Sequence, residues 1–223
     1  MARLASQAKM EYYPTPEKEI EKAIAEIQIA GISVPVRALD PCSGDGRALR
    51  IIEDKLKAEI YGIELDTARS MQTARVTGKE NCLSETDALM DARITAQAFN
   101  LIFNNPPYDW ERGYGDRRLE LTFIERYASP LVENGIMILV IPKALFESPY
   151  RAEDLLKVIL KNYAILNREE MTEDTQFGQW IITLRKAKTL PLTVISERLN
   201  DFRTWKEDVF NEKRQSLRSI RQA

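Results

Sequence analysis

The sequence contains no histidine. That single absence removes Ser-His-Asp triads, histidine general bases and histidine metal sites. Its two cysteines, Cys42 and Cys82, are too few for a disulfide framework, and without histidine they form no ligand set for structural zinc. No metal is expected, and the cytosol is the default compartment for this cysteine usage. No run reaches the roughly 18 apolar residues of a membrane span. The opening MARLASQAKM has no apolar core of a secretory signal, so no membrane partner is expected. Net charge is only −2, which gives no overall attraction to polyanions. Any chemistry must run on carboxylates, amides, hydroxyls, backbone groups or a bound cofactor.

What the chain does have is 223 residues of which 44% are apolar, enough to bury a real core in one domain with or without a tail. The charge is unevenly spread. From Arg185 to Ala223 there are ten Lys/Arg and five Asp/Glu, so that segment is net +5 and Met1–Leu184 is net −7. A basic tail on an acidic body is either an electrostatic handle for phosphates or a solvated helix of mixed charge.

Short apolar runs alternate with helical patterns. VRALDPC, AEIYGIELD, FNLIFNNPPY and GIMILVIPK read as strands, and NCLSETDAL as a weaker one ending near Asp87. Between them, DGRALRIIEDKLK, TARSMQTARV, RRLELTFIERYASPLV and EDLLKVILKNY carry apolar residues at helical spacing. TPEKEIEKAIAEIQIAG reads as a preceding helix with Pro16 in its first turn and Gly31 past its end. This alternation predicts a parallel sheet covered on both faces. The last two strands, AILNREEM and QWIITLRK, are joined by TEDTQFGQW. That link is shorter than the dozen residues a parallel crossover needs, so they should form an antiparallel hairpin.

Four places carry chemical information. LDPCSGDG, Leu39 to Gly46, ends a strand and opens a helix; its glycines permit a tight turn and close backbone approach to a ligand. The spacing is not that of a dinucleotide fingerprint, and Asp40 at the strand tip would repel a pyrophosphate while suiting an amino group. Glu64 ends the second strand about 20 residues later, where a carboxylate can accept from ribose hydroxyls. Asp87 ends the third; it can accept from an adenine amine or cap a following helix. After FNLIF the chain reads Asn104-Asn105-Pro106-Pro107-Tyr108. The proline pair cannot continue a sheet, so it forms a stiff turn at the strand end, where ligands sit in open α/β folds.

Taken together, YYPTP (Tyr12–Pro16), LDPCSGDG, Glu64 with Asp87, and NPPY (Asn105–Tyr108) resemble a class I S-adenosylmethionine-dependent methyltransferase. Within that class they are most similar to the N6-adenine DNA methyltransferases, in the γ order of motifs. The resemblance spans residues 11 to 185. It implies a Rossmann-like, seven-stranded, mostly parallel sheet of order 3-2-1-4-5-7-6 with the last strand antiparallel. It also implies S-adenosyl-L-methionine as cofactor, held by Tyr13 and Thr15, by Asp40, Cys42 and Gly44, by Glu64 with Leu65, and by Asp87 with Ala88. Thr15 matches the threonine placed on the methionine carboxylate, and could also cap the helix that begins at Pro16. Asn105, Pro106 and Tyr108 match the catalytic motif, with Asn105 also beside the cofactor. Tyr108, Trp110 and Phe177 are the aromatics placed to receive a base that has left its stack; Trp180 is a further candidate.

The division this implies is an N-terminal cofactor segment and helix (1–30), a catalytic domain (31–188) and a basic helical tail (189–223). DNA is the expected partner. Many duplex-reading enzymes of the family carry a large target-recognition domain, whereas here only residues 187–223 follow the last strand. Sequence readout would then fall to a partner subunit or to a domain absent from this chain. The alternatives are an RNA methyltransferase acting on adenine N6 or guanine N2 and a protein-glutamine methyltransferase, since NPPY-type motifs also serve guanine N2 in RNA and glutamine amides in proteins; a non-catalytic nucleic-acid-binding subunit could keep the same fold.

Overall fold

The computed structural model describes residues 13–27, 35–109, 117–147, 149–172 and 178–187. Gly31, Trp110, Phe177 and the basic tail lie outside these residues, as do both expected domain boundaries.

Helix α1 (Glu17–Ala25) is followed by β1 (Arg37–Asp40), α2 (Arg47–Leu56), β2 (Glu59–Glu64) and α3 (Thr67–Thr77). A short 3-10 turn leads into β3 (Cys82–Ser84), then β4 (Phe99–Asn104), α4 (Leu119–Arg126) and β5 (Leu131–Pro142). The chain continues through α5 (Ala144–Glu147), α6 (Pro149–Asn162), β6 (Tyr163–Glu170) and β7 (Gln179–Lys186). The seven strands form one sheet of order β3-β2-β1-β4-β5-β7-β6. Strands β1 to β5 are parallel, and β7 runs antiparallel to both β5 and β6. This is the order that the resemblance implies and the final hairpin that the short link predicts.

Each face of the sheet carries its own core. Ile20 and Ile24 of α1 and Leu49 and Ile52 of α2 pack on Leu101, Phe103, Ile138 and Val140. Ile124 of α4 and Leu155 and Ile159 of α6 pack on Ile102, Met137, Leu139 and Ile182. Alternate residues of β4 therefore enter opposite cores, and all six of its residues are buried. Truncating one of these, such as Ile102→Ala, costs about 2–5 kcal/mol.

Several elements differ in extent from the sequence expectation. β3 stops at Ser84, and Glu85 adopts φ 53°, so Asp87 lies in a turn beyond the strand. α4 ends at Arg126 rather than continuing through Pro130, because proline cannot sit in a helix interior. β5 begins at Leu131, before Gly135, with a register shift against β4 and Asn134 at φ 61°. α1 ends at Ala25, short of Gly31. Among the described residues no helix is long and apolar enough to cross a membrane.

The chain winds outward from β1 to β3, then returns to place β4 on the other side of β1. In open α/β sheets ligands bind at such a reversal, at the carboxyl edge of the strands. Asp40, Glu64 and Asn104 end their strands at this edge.

Candidate active site at the carboxyl edge of the sheet

The loop after β1 is fastened on every side. Gly44 and Gly46 take positive φ of 56° and 82°, a region glycine enters without strain. Ser43 Oγ donates to the Ile63 carbonyl at 3.1 Å, and Thr73 Oγ1 of α3 donates to the Gly44 carbonyl at 2.8 Å. The fit is close enough that a Cβ on Gly62 would lie 2.5 Å from Thr73 Cγ2. Asp40 is buried and its Oδ1 accepts from the Cys42 backbone N–H at 2.9 Å. Burial pushes its carboxyl pKa up to about 8 against the pull of that hydrogen bond, with the Glu64 and Asp45 charges adding to the rise. Burial, followed by the charges of Asp40, Glu64 and Asp87, likewise raises the half-buried Cys42 thiol. Asp40, Glu64 and Asp87 thus share one electrostatic neighbourhood around Cys42.

Glu64 is buried and more heavily bonded than a simple ligand acceptor. Its Oε2 accepts from the Gly44 N–H at 2.8 Å. Its Oε1 accepts from the Asp66 N–H at 2.8 Å and from Arg69 Nε and Nη2 at 3.3 and 3.0 Å. Oε2 therefore keeps room for one donor, whereas a pair of ribose hydroxyls would require Arg69 to withdraw from Oε1. Leu65, next in the chain, is exposed.

Asp87 Oδ1 accepts from the Leu89 and Met90 backbone N–H groups at 2.8 and 3.0 Å. The capping alternative for this residue is realised, through a turn rather than a helix, and its second oxygen remains for a ligand. Buried Ala88 is held from the core, since the Tyr127 phenol donates to its carbonyl at 2.9 Å.

The NPPY turn is tied to the N-terminal segment. Asn105 Nδ2 donates to the Tyr13 carbonyl at 3.0 Å and to Thr15 Oγ1 at 3.3 Å. A carbonyl can only accept, which fixes which end of the amide is which. Asn105 Oδ1 faces the other way and accepts from the Tyr108 hydroxyl at 3.0 Å. Gln179 Nε2, from the first residue of β7, donates in turn to the Tyr108 oxygen at 2.5 Å. Burial holds the Tyr108 phenol far above its ordinary range, opposed by the Gln179 bond and reinforced by the Glu120 charge, so it stays protonated and able to donate. Pro106 is buried, and its carbonyl accepts no hydrogen bond among the described residues. Thr15, also buried, serves Asn105; the N-cap of α1 is Pro16, without a side-chain cap bond.

Residues 1–191 match the model of an uncharacterised methyltransferase family, DUF6094. The chain belongs to that family. No curated protein matches it. Among solved structures, a class I S-adenosylmethionine-dependent methyltransferase of Listeria monocytogenes aligns with TM-score 0.63 at 18% identity, covering 84% of this chain and 67% of that one. The methyltransferase subunit of a type I restriction-modification system from Streptococcus thermophilus aligns with TM-score 0.65 at 16% identity, over 87% of this chain. This chain spans only 53% of that subunit. Geranyl diphosphate C-methyltransferase of Streptomyces coelicolor, solved with S-adenosyl-L-homocysteine, aligns with TM-score 0.53 at 10% identity, over 76% of this chain and 77% of that one. The likeness establishes the class I methyltransferase fold.

In this methyltransferase the structure gathers Tyr13, Thr15, Asn105 and Tyr108 into one hydrogen-bonded group. Asp40, Cys42, Gly44, Glu64 and Asp87 form a second group along the same edge. Trp180 is partly buried beneath the Arg168 guanidinium, 3.2 Å from its ring centroid, and beside Phe146. Arg69, Tyr127 and Gln179 are the site residues that sequence reading missed. A lone arginine, tyrosine or glutamine carries no motif, and only the fold brings each to its partner.

Proposed function

We propose that this protein transfers a methyl group from S-adenosyl-L-methionine to the N6 amino group of adenine in DNA. The observation that carries the reading is the fixed Asn105 amide. Its nitrogen is committed to Tyr13 and Thr15, which leaves its oxygen, with the neighbouring Pro106 carbonyl, as a pair of acceptors at the tip of β4.

The edge fits the cofactor by its chemistry. Glu64 and Asp87 supply acceptors, and Asp40 a carboxyl that a nearby cation would ionise, for a ligand bearing a sulfonium, an ammonium, ribose hydroxyls and an adenine amine. Buried Asp40 in particular has no cationic partner among the described residues that would favour its ionised form. Glu64 Oε2 would take a ribose hydroxyl, Asp87 Oδ2 the adenine amine, and Thr15 and Tyr13 would flank the methionine end. The bound cofactor supplies an electrophilic methyl group.

The rest falls to the protein. An adenine amine is a poor nucleophile because its lone pair is delocalised into the ring. Asn105 Oδ1 and the Pro106 carbonyl can each accept one of its hydrogens. This favours a pyramidal nitrogen and stabilises the positive charge that grows on it during attack. Amide oxygen has two lone pairs, so the Tyr108 hydroxyl and the amine can share Asn105 Oδ1. The proline pair keeps the acceptors stiff and so maintains the line of attack. The Tyr108 ring offers a stacking face for an unstacked base, joined by Trp110 and Phe177.

The restriction-modification likeness supports a nucleic-acid substrate and target recognition shared with a partner subunit or a further domain, with residues 189–223 as a phosphate-binding tail and residues 1–30 as the cofactor segment. The test is labelled-methyl transfer to single- and double-stranded DNA, RNA and a release factor, with the modified group mapped. N6-methyladenine in DNA is expected. Label in RNA, at adenine N6 or guanine N2, or in glutamine would reassign the substrate, and cofactor binding without transfer would make the protein a non-catalytic subunit.

A further inference from the structure

Sequence reading leaves Gln179 unassigned, yet it is buried and bonded to the catalytic turn. It opens β7 opposite Pro142 of β5. Its backbone carbonyl accepts from Met171 N–H at 3.0 Å, and the carbonyl of Gly178 before it accepts from Lys143 N–H at 3.0 Å. The side chain thus projects from an anchored point of the sheet.

The donor directions follow without freedom. Asn105 Nδ2 faces the Tyr13 carbonyl, so Oδ1 faces Tyr108. Oδ1 only accepts, so the single phenol hydrogen must point at it. The phenol oxygen then needs a donor on its other side, and Gln179 Nε2 provides one. With the glutamine amide reversed, its oxygen would compete with Asn105 for the same hydrogen, leaving one acceptor facing another.

We propose that Gln179 is a positioning residue of this active site: by donating to the Tyr108 phenol it directs the phenol hydrogen onto Asn105 Oδ1 and holds amide and ring in register, with one lone pair of Oδ1 left for the target amine. The inference rests on the proposed amine methylation. It adds a third anchor, from β7, to those supplied by β4 and the N-terminal segment.

The test is a double-mutant cycle of Gln179→Met with Tyr108→Phe in the full chain, read as kcat and cofactor KM for DNA methylation. Gln179→Met should lower kcat about tenfold, the scale of one buried hydrogen bond, with cofactor KM within twofold. In the Tyr108→Phe background it should cost nothing further. Equal losses in both backgrounds, or an unchanged kcat in the single variant, would overturn the proposal. Gln179→Glu, of the same size, replaces the methionine variant if that one does not fold.

A second readout needs no substrate. The Asn105 side-chain NH2 resonance, assigned by its loss in Asn105→Asp, should shift in Gln179→Met but not when that change is added to Tyr108→Phe. A resonance unmoved by Gln179→Met would overturn the proposal. Were DNA not methylated at all, the substrate reading would fail while this resonance still decided the role of Gln179.

Discussion

Asn105 Nδ2 and the carbonyl of Tyr13 meet at 3.0 Å across 92 residues of chain. This bond, with the weaker one to Thr15 Oγ1, ties the N-terminal segment to the Asn105–Tyr108 turn. It also settles the orientation of the amide on which the proposed chemistry depends.

Asn105→Ala should therefore lower methyl transfer by about 10²–10³, the scale for losing one preorganised group at a reacting centre. Cofactor affinity should stay within a few fold. Single-turnover methylation and calorimetry separate the two, and a variant that kept most of its transfer rate would remove Asn105 from the reaction.

Thr15→Val should be milder. It deletes the longer of two acceptors while the Tyr13 carbonyl remains, so the expected loss is about 0.5–1.5 kcal/mol in transition-state stabilisation, measured as kcat/KM. A loss as large as that of Asn105→Ala would mean that Thr15 meets the cofactor more strongly than it meets the amide.

Asp40 predicts a pH dependence with a definite sign. Its carboxyl pKa is raised from 3.8 to about 8 in the folded protein, so the free folded state binds the extra proton between these values. Its contribution to stability is full at the acid end and falls as pH rises toward 8. A cationic ligand favours the ionised form. Cofactor affinity should therefore climb from pH 6 to 8 with release of a proton, seen by calorimetry in two buffers of different ionisation enthalpy. Asp40→Asn keeps an acceptor for the Cys42 N–H. It should melt higher than the parent protein at pH 8 and bind cofactor weakly, with no such slope. A persisting slope would point to another group.

At Asp87 two jobs can be parted. Asp87→Asn keeps an oxygen for the Leu89 and Met90 N–H groups but replaces the second acceptor with a donor. Thermal stability should hold while cofactor affinity drops by about 1–3 kcal/mol. Unchanged affinity would make Asp87 a turn former alone.

Glu120, fully buried at the start of α4, receives Arg118 Nε at 3.1 Å and Nη2 at 2.5 Å. It stands close enough to Tyr108 to influence the phenol. Glu120→Ala removes both of the Arg118 bonds and should cost about 1–3 kcal/mol of stability, measured by denaturant unfolding. A neutral result would show that the pair adds nothing to stability.

The fold was legible because its signals are local and additive. Apolar runs at FNLIF and MILVI can only be central strands, and the short TEDTQFGQW link forces β6 and β7 into a hairpin. The ends of elements were less legible. The extent of β3 depends on pairing with β2, and the start of β5 on a shift against β4. Within the site, Asn105, Asp40 and Glu64 stood out because each ends a strand beside a turn former. What could not be read was partnership. Arg69 reaches Glu64 across a strand-to-helix turn, and Gln179 reaches Tyr108 from the far side of the sheet order, where no spacing rule applies. Thr15 offered two roles in sequence; the structure gives its hydroxyl to Asn105 instead of to the helix end.

The central claim is that Asn105 Oδ1 and the Pro106 carbonyl grip a conjugated amine beside the methyl donor. A crystal structure with S-adenosyl-L-homocysteine and an adenine-containing oligonucleotide measures this directly. The nucleoside is expected along Asp40, Glu64 and Asp87, with a target N6 within hydrogen-bond distance of both oxygens. A base seated elsewhere, or an Asn105 oxygen turned away from it, would refute the proposed grip.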